Sequence, residues 1–423
     1  MRDKTGLSAS DLRVLRALGE WQAQAAASAR NREIHRAWRQ HDRGAPDRRV
    51  MVIAETWYTR DRRLPVPEES LQCQDPWARD LERSLRHLRF EVEQVRDDRL
   101  VSPYAEYSSH IHATDFGVPS GRHYDPGADS LAFNYQPPLK LLDDADFARL
   151  RPRVYRRDHD REARERERLE AVFAGILPVR RRATWPCCHA LTSQALDWVG
   201  LDGFMTLMYD NPAGLHRLMA FLRDDRLAFI DMAEAEGVFT LTNEADYIGS
   251  GCMGCTDELP QKDFAGQVRA RDCWLFTESQ ESIGLGPAQY AEFVFQYLSP
   301  IMARFGKVYY GCCEPVHPFL DSLARVPNLA RLSVSPWADE ERVGAFCRER
   351  GIVYSRKPSP NFFGAEKYDE GTVRANLQKT LACARGCRLE FIQRDVLVTR
   401  DQPERFIRWV ELVREEAGAW SKQ

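Results

Sequence analysis

The sequence predicts an α/β protein in which a parallel sheet is covered by helices. Short apolar runs with strand character alternate with amphipathic helical segments through most of the 423 residues. Residues 50–54, Val-Met-Val-Ile-Ala, form a continuous apolar run, which is typical of a strand buried on both faces. Because parallel neighbours are joined by crossover helices, this alternation favours a parallel sheet.

The elements follow in order along the chain. Residues 8–42 are predicted to be helical because Leu12, Leu15, Leu18 and Trp21 recur at helical spacing. Further helices are predicted at 75–88, 143–172, 192–199, 210–235, 287–304, 315–325, 339–350, 370–385 and 402–416, of which 143–172 is highly charged and expected to be exposed. Strands are predicted at 50–55, 90–95, 177–185, 238–243, 272–278, 307–311, 329–334, 351–355 and 388–394. Residues 100–136 have no steady period and are interpreted as a long excursion over a pocket.

Nine strand candidates are one too many for an eight-stranded barrel. The predicted surplus is 238–243, which precedes the glycine-rich segment 249–255. That segment contains Cys252 and Cys255, half of a zinc-knuckle spacing, and it is interpreted as an active-site loop rather than a structural zinc site. Residues 187–189, Cys-Cys-His, follow another strand candidate and are an alternative contributor to a pocket.

Composition restricts the class of function. The chain has 60 basic and 63 acidic residues, a net charge of −3, so generic nucleic-acid binding is not predicted. No apolar run approaches the roughly 20 residues that a membrane helix needs, and the N-terminus has no signal-peptide pattern. A cytoplasmic protein is therefore predicted, with most of its 11 cysteines reduced.

Residues 307–317, Lys-Val-Tyr-Tyr-Gly-Cys-Cys-Glu-Pro-Val-His, carry the strongest functional signal. A predicted strand ends at Gly311 and is followed by the thiols of Cys312 and Cys313 and the carboxylate of Glu314. Thiolate and carboxylate groups are zinc ligands, and strand ends are where barrel enzymes place their catalytic groups. Adjacent side chains of an extended segment point in opposite directions, so both thiols reach one pocket only if the chain turns sharply at Gly311.

Other candidate residues also follow predicted strands. Glu278 ends the apolar run 274–277 and is predicted to bind metal or a substrate hydroxyl. Arg356 and Lys357 end another strand and would suit an anionic substrate group. The remaining candidates for the substrate pocket are Asn243, Trp57 and Trp337.

Residues 180–415 resemble the uroporphyrinogen decarboxylase superfamily, which includes the decarboxylase of haem biosynthesis and zinc-dependent, corrinoid-linked methyltransferases. The resemblance is carried by Met-Tyr-Asp-Asn-Pro at 208–212, Trp-Leu-Phe-Thr-Glu-Ser at 274–279, 308–313, Ser-Val-Ser-Pro-Trp at 333–337 and Tyr-Ser-Arg-Lys-Pro at 354–358. It implies a single (β/α)8 TIM barrel over residues 47–423, preceded by an N-terminal helical extension over residues 1–46. Family members are often homodimers, and the resemblance extends that possibility to this chain.

The departures from the family pattern affect the function. The arginine pair with which the decarboxylase binds its substrate carboxylates is absent after the first strand, where the sequence is Ala-Glu-Thr-Trp-Tyr-Thr-Arg at 54–60. In the methyltransferase motif His-x-Cys-Gly, Tyr310 stands at the histidine position, Cys312 at the cysteine and Cys313 at the glycine. No cysteine follows the last strand, which ends Gln-Arg-Asp at 393–395.

The resemblance therefore implies a zinc-dependent methyltransferase that demethylates a small methylated substrate. A corrinoid would be carried by a separate protein, because this chain lacks the corrinoid-binding signature. Cys312, Cys313 and Glu278 are the predicted metal ligands, and Glu314, Glu278 and Tyr310 the predicted catalytic groups. The alternatives are a decarboxylase or lyase that acts on a carboxylated small molecule, and a non-catalytic barrel that binds a small molecule.

Overall fold

The computed structural model describes residues 6–45, 48–61, 63–124, 133–183 and 190–420. The predicted N-terminal helix is divided into α1 (Ala9–Ala26) and α2 (Ala29–Arg43). The division occurs at Ser28, whose side chain accepts a hydrogen bond from the Asn31 amide at 3.1 Å and so caps α2. The domain boundary predicted near residue 46 stays a prediction.

Eight strands in two separate parallel sheets form the centre of the fold. They are β1 (Met51–Ala54), β2 (Ala105–Ser108), β3 (Val179–Arg182), β4 (Trp274–Thr277), β5 (Lys307–Tyr310), β6 (Leu329–Val334), β7 (Val353–Arg356) and β8 (Arg388–Gln393). Six of them form one sheet in the order β1-β8-β7-β6-β5-β4, and β2 pairs with β3 in a second sheet. The predicted parallel α/β architecture is therefore confirmed.

Two gaps separate the six-stranded sheet from the β2–β3 pair, and side chains fill both. At the free edge of β1, the Asp98 carboxylate accepts a hydrogen bond from the Val52 amide, and the Asp97 carboxylate accepts one from the Ala54 amide, each at 2.9 Å. Near β4, the Thr242 hydroxyl accepts the Trp274 amide at 2.9 Å. Among the described residues, no continuous ladder of backbone hydrogen bonds closes the sheet into a barrel.

Three sequence predictions of secondary structure need correction. Residues 90–95 are helical, since Glu91–Val95 continue the preceding helix as a π-helical turn. Residues 238–243 make no strand ladder, although the segment lies between β3 and β4, where the Thr240 hydroxyl accepts a hydrogen bond from the Ala183 amide at 3.0 Å and the Thr242 hydroxyl accepts one from the Trp274 amide. The strand β2 lies inside the region that was interpreted as a long excursion.

Helices cover the sheet, and the longer ones follow α2 in chain order. They are α3 (Pro76–Phe90), α4 (His159–Phe173), α5 (Thr192–Asp210), α6 (Pro212–Ala235), α7 (Glu340–Arg350), α8 (Glu370–Cys383) and α9 (Glu404–Trp420). Shorter helices are Glu68–Ser70, Asp144–Phe147, Ala270–Asp272, Gln280–Ser282, Pro287–Tyr290, Ala291–Phe295, Gln296–Met302, His317–Phe319, Leu320–Leu323 and Asn361–Gly364. No helix in the described ranges is both long and apolar enough to cross a bilayer.

Successive strand residues belong alternately to two buried clusters, as the two-residue period of a strand requires. Val308 and Tyr310 of β5 belong to the cluster between the sheet and the helices, whereas Tyr309 belongs to the cluster on the inner face. The inner cluster also contains Trp38 of α2 and residues of a short hairpin, Tyr247–Gly249 paired with Cys252–Met253. This hairpin and α2 thus fill the inner face of the sheet.

The other short strands are peripheral to the sheet. Ile111–Ala113 pairs with Tyr155–Arg157, and Arg122–Tyr124 pairs with Phe133–Tyr135, both antiparallel.

Candidate active site at the carboxyl ends of the strands

The loops that follow β1, β4, β5, β7 and β8 lie at one edge of the sheet because these strands are parallel. The polar residues that they carry there are Glu55, Glu278, Cys312, Cys313, Glu314, Lys357, Arg394 and Asp395. The sequence-based prediction that polar groups from several strands gather at this edge therefore matches the topology of the sheet.

The loop after β5 makes the sharp turn that the sequence required. Gly311 has a φ of +98°, and a Cβ added there would lie 3.0 Å from Val316 Cγ1 and 3.2 Å from Ser333 Cβ. Glycine is suited to this position because it lacks the side chain that disfavours a left-handed conformation. The turn allows the sulfur atoms of two adjacent residues, Cys312 and Cys313, to approach within 3.6 Å of each other.

Glu314 holds this turn in place. Its carboxylate is fully buried and accepts hydrogen bonds from the Cys312 amide at 2.8 Å and the Ser279 amide at 3.0 Å. Burial raises the pKa of Glu314, and these amide donors act in the opposite direction. The carboxylate thereby fixes the thiol loop to the loop after β4.

The two thiols differ in exposure and acidity. Cys313 is exposed, and its pKa is lowered by the hydrogen bond with the Cys312 thiol and by the Arg394 charge, against burial and the Asp395 charge. The same hydrogen bond raises the pKa of Cys312, and burial raises it further. Because the thiolate is the reactive form of cysteine, the lowered pKa favours reaction at Cys313 over Cys312.

A chain of polar contacts leads from the thiols to β1. The Cys313 sulfur lies 4.0 Å from Asp395 Oδ2, and Arg394 Nε lies 3.2 Å from the same carboxylate oxygen. Arg394 Nε also lies 3.7 Å from Glu55 Oε2, while the Tyr247 hydroxyl donates to Glu55 Oε1 at 3.1 Å. Burial raises the pKa of Glu55, although the Arg394 charge opposes this rise.

The glycine-rich hairpin packs tightly against the inner face of the sheet. Gly251 has a φ of +84°, and an added Cβ would lie 2.2 Å from Ile392 Cγ2. The neighbouring Cys252 thiol donates to Glu390 Oε1 at 2.6 Å, whereas the Cys255 thiol contacts the His35 carbonyl at 3.7 Å. The two cysteines of the possible zinc knuckle therefore have separate partners.

A layer of buried polar side chains lies beneath the thiols. Lys357 Nζ donates to the Tyr309 hydroxyl at 2.6 Å and to Ser355 Oγ at 2.7 Å, and burial lowers the pKa of this lysine. Arg331 Nε lies 3.3 Å from Glu390 Oε1. Lys357 thus points to the inner face, as expected for a substrate-binding group, but the contacts recorded for its amine are within the protein.

Two predicted site residues have their side chains on the helix-covered face of the sheet. The Tyr310 hydroxyl lies 2.7 Å from the Tyr290 hydroxyl in the cluster between sheet and helices. Arg356 donates to the Ser335 carbonyl at 2.7 Å and lies 3.3 Å from Glu340 Oε1. The alternation of side chains along a strand explains both positions, because Tyr309 and Lys357 occupy the inner face instead.

Glu278 faces a cavity of about 460 Å³, which is also lined by Arg122, Asp197 and Arg226. Its Oε2 accepts the Gln280 amide at 2.5 Å. The sequence predicted Glu278 to bind metal together with Cys312 and Cys313. The nearby backbones are joined through Glu314, but the cavity that Glu278 lines does not contain the two thiols.

The remaining predicted contacts lie at the periphery. Trp337 is 59% exposed, and Trp57 is 56% exposed and stacks on Tyr58 with a centroid distance of 4.6 Å. The Asn243 side-chain amide donates to the Leu259 carbonyl at 2.9 Å and so supports the loop that precedes β4. The roles proposed for these residues stay predictions, as does that of residues 187–189, which lie outside the described ranges.

A larger cavity, of about 640 Å³, adjoins the strand edge. Glu55, Tyr247 and Gly251 line the part that is shared with the polar chain described above. The helices α3 and α4 supply an apolar wall that consists of Leu81, Leu85, Leu88, Leu169 and Phe173. Volumes of this size are usual for small-molecule sites.

Two titratable residues of α3 and the π-helical turn lie next to Glu55. Thr56 Oγ1 donates to Glu91 Oε1 at 2.9 Å and lies 2.5 Å from His87 Nε2. Burial raises the pKa of Glu91 to about 7, with Arg99 opposing the rise, and burial lowers that of His87 to about 4. Strongly shifted groups that line one cavity are typical of functional sites.

The fit of the predicted zinc can be judged from the donor atoms. Two thiolates on one tetrahedral zinc ion lie about 3.8 Å apart, because each Zn–S bond is about 2.3 Å, so the distance of 3.6 Å between the Cys312 and Cys313 sulfurs is suitable. A zinc site also needs at least a third protein ligand. Among the described residues, no three His, Cys, Asp or Glu side chains are arranged to hold a metal ion.

The sequence analysis did not select Glu55, Tyr247 or Arg394 as site residues. Glu55 and Arg394 directly follow β1 and β8. Glu278 was selected because polar residues at the carboxyl ends of barrel strands are often functional, and the same criterion applies to Glu55 and Arg394. Tyr247 had no comparable signal, because its position depends on how the hairpin lies against the sheet.

Comparison with known proteins tests the fold. No protein-family model and no curated sequence matches the chain. Among solved structures, 23 chains match. One is a methyltransferase from Methanosarcina mazei, with a TM-score of 0.50 and 11% sequence identity, over 92% of this chain and 99% of that one. At this identity the likeness shows a shared fold.

Proposed function

We propose that this protein is a methyltransferase that acts on a small methylated molecule, with the Cys313 thiolate as the group that accepts the methyl. The observation that carries the proposal is the turn at Gly311, which places an exposed, acidified thiol 3.6 Å from a second thiol at the carboxyl edge of the sheet. The motif resemblance over residues 180–415 and the fold shared with a protein named as a methyltransferase support the choice of reaction.

In the proposed step, the Cys313 sulfur attacks the methyl carbon of the substrate. A carbon–sulfur bond forms, the bond between the methyl carbon and its carrier atom breaks, and the carrier leaves with the electron pair. Arg394 and the Cys312 hydrogen bond favour this step because they keep Cys313 in the thiolate form. Glu314 contributes by holding the amide of Cys312 and hence the geometry of the pair.

The proposed second substrate is a corrinoid held by a separate protein. That protein would take the methyl group from the Cys313 thioether, and the electron pair of the broken carbon–sulfur bond would return to the Cys313 sulfur and restore the thiolate. Zinc binding by Cys312 and Cys313 stays a prediction, since the predicted third ligand, Glu278, faces a cavity that neither thiol lines.

Free methylcobalamin tests the proposal by running the second step in reverse. Under anaerobic conditions, we expect the absorbance of methylcobalamin to be lost and the peptide that contains Cys313 to gain about 14 Da, the mass of a methylene group. Cys313→Ser should abolish both signals. Cys383→Ser provides a matched control, because Cys383 is a partly buried cysteine at the end of α8.

Two results would contradict the proposal. One is transfer by Cys313→Ser at the rate of the unsubstituted protein, and the other is the absence of any transfer to the unsubstituted protein. Metal analysis of the same samples tests the zinc prediction separately. Stoichiometric zinc that disappears when Cys312 and Cys313 are both replaced by serine would support it.

A further inference from the structure

We propose that the 640 Å³ cavity binds an elongated apolar molecule with an uncharged polar head, and that the head is held by Glu55 and Arg182. This inference deepens the proposed function, because it names a class of substrate for a cavity that is connected to the thiols through Glu55, Arg394 and Asp395. It rests on that function for the reaction but not for the binding.

The apolar wall sets the shape of the ligand. Leu81, Leu85 and Leu88 lie at positions i, i+4 and i+7 of α3 and therefore on one face of this helix. At a rise of 1.5 Å per residue they extend over about 10 Å, which is the length of a chain of about eight carbon atoms. Leu169 and Phe173 of α4 line the same cavity.

The polar end offers both an acceptor and a donor. Glu55 is 3% exposed, and its Oε2 has an ion-pair partner in Arg394 at 3.7 Å but no hydrogen-bond partner in the described part of the chain. Arg182 Nη2 is likewise buried without a hydrogen-bond partner among the described residues. Since a buried polar atom without a hydrogen bond destabilises the fold, a ligand head that donates to Glu55 and accepts from Arg182 would supply both missing hydrogen bonds.

The charges around this end are already paired, which favours a neutral head. Arg182 Nη1 donates to Glu106 Oε2 at 3.1 Å, and Arg99 Nη2 donates to Asp97 Oδ2 at 2.8 Å. Arg394 is the partner of Glu55. A carboxylate or ammonium on the ligand would therefore enter a buried site as an uncompensated charge, and burial of such a charge is costly.

A carboxamide meets these requirements, because it donates through nitrogen and accepts through oxygen. Octanamide combines this head with a chain that matches the apolar wall. Octanoate and octylamine have the same tail with a negative or a positive head. The three compounds therefore separate the contribution of the tail from that of the head.

The test is calorimetric titration of the full-length protein with these three compounds at neutral pH. We expect octanamide to bind at least tenfold more tightly than octanoate and octylamine. Glu55→Met should weaken octanamide binding at least tenfold, because the acceptor is lost while the length of the side chain is kept. Leu88→Trp should abolish binding, because the indole occupies the tail region of the cavity.

Leu141→Trp is the matched control, since Leu141 is 66% exposed and lies outside the cavity. Circular dichroism would confirm that each variant is folded. Equal binding of the three compounds, or unchanged binding by Leu88→Trp, would overturn the inference. Cys313→Ser should bind octanamide normally, so loss of methyl transfer with retained binding would count against the reaction and leave the cavity assignment intact.

Discussion

The Cys252 thiol donates a hydrogen bond of 2.6 Å to the Glu390 carboxylate and thereby attaches the glycine-rich hairpin to β8. Both residues are fully buried, and Arg331 provides the countercharge for Glu390 at 3.3 Å. Arg331 and the Cys252 thiol contribute to the lowered pKa of Glu390, against the effect of burial. The hairpin that supplies Tyr247 to the site therefore depends on an ion pair inside the fold.

Glu390→Gln is expected to destabilise the protein strongly, because it leaves the buried Arg331 charge uncompensated. Loss of one partner of a buried pair costs about 3 to 5 kcal/mol. The measurement is the free energy of unfolding from urea titration followed by circular dichroism. Asp80→Ala removes an exposed ion pair with Arg83 and serves as the control, with an expected effect below about 1 kcal/mol. Equal effects of the two substitutions would contradict the importance of the buried pair.

His41 predicts a specific pH dependence of stability. It is fully buried, and burial lowers its pKa from 6.5 to about 4, with the Glu390 charge in opposition. Between these values the unfolded chain binds a proton that the folded protein does not bind, so stability falls as the pH is lowered from about 6.5 to about 4. The loss reaches up to about 3 kcal/mol for a shift of this size.

His41→Phe should remove this part of the pH dependence, because phenylalanine retains an aromatic ring but does not titrate. Urea unfolding at several pH values between 4 and 7 measures the slope. His123→Phe at an exposed position should retain the slope of the unsubstituted protein. An unchanged slope in His41→Phe would show that another group takes up the proton.

The residues of β5 and β7 illustrate which parts of the site could be predicted from the sequence. The apolar runs and the break at Gly311 were sufficient to place the thiols at a strand end. They could not decide whether Tyr309 or Tyr310 faces inward, because a shift of one residue in the pattern exchanges the two faces of a strand. The same ambiguity applies to Arg356 and Lys357.

Contacts that depend on tertiary packing could not be predicted from the sequence either. Glu314 has the residue type of a catalytic base, but its oxygens accept two backbone amides, one of which belongs to the loop after β4. Nothing in the local sequence indicates that second donor. The open edge of β1 could not be predicted from the sequence either. Its backbone amides donate to the side chains of Asp97 and Asp98 instead of to a neighbouring strand.

The reactivity of Cys313 should depend on its neighbours. Alkylation by iodoacetamide requires the thiolate, so the pH at which the rate reaches half its maximum reports the pKa of Cys313. Arg394→Met and Cys312→Ala should each shift this midpoint upward, because they remove a positive charge and a hydrogen-bond donor.

Cys383 provides an internal reference for this experiment, because burial raises its pKa and it should react more slowly than Cys313 in every variant. Peptide mass spectrometry distinguishes the two alkylated cysteines. A midpoint that is identical in the unsubstituted protein and in both variants would remove the physical basis for assigning the nucleophile to Cys313.

Glu314→Gln tests whether the carboxylate acts by positioning the thiols. Glutamine has one acceptor oxygen and one donor nitrogen, so one of the amides of Ser279 and Cys312 would face another donor. We expect a loss of stability of about 1 to 3 kcal/mol, the usual cost of an unsatisfied buried group, and a slower alkylation of Cys313 as the loop loses its geometry. Glu341→Gln, at an exposed position of α7, should leave both quantities unchanged. Methyl transfer that fails in Glu314→Gln while stability and alkylation stay normal would instead indicate a direct chemical role for this carboxylate.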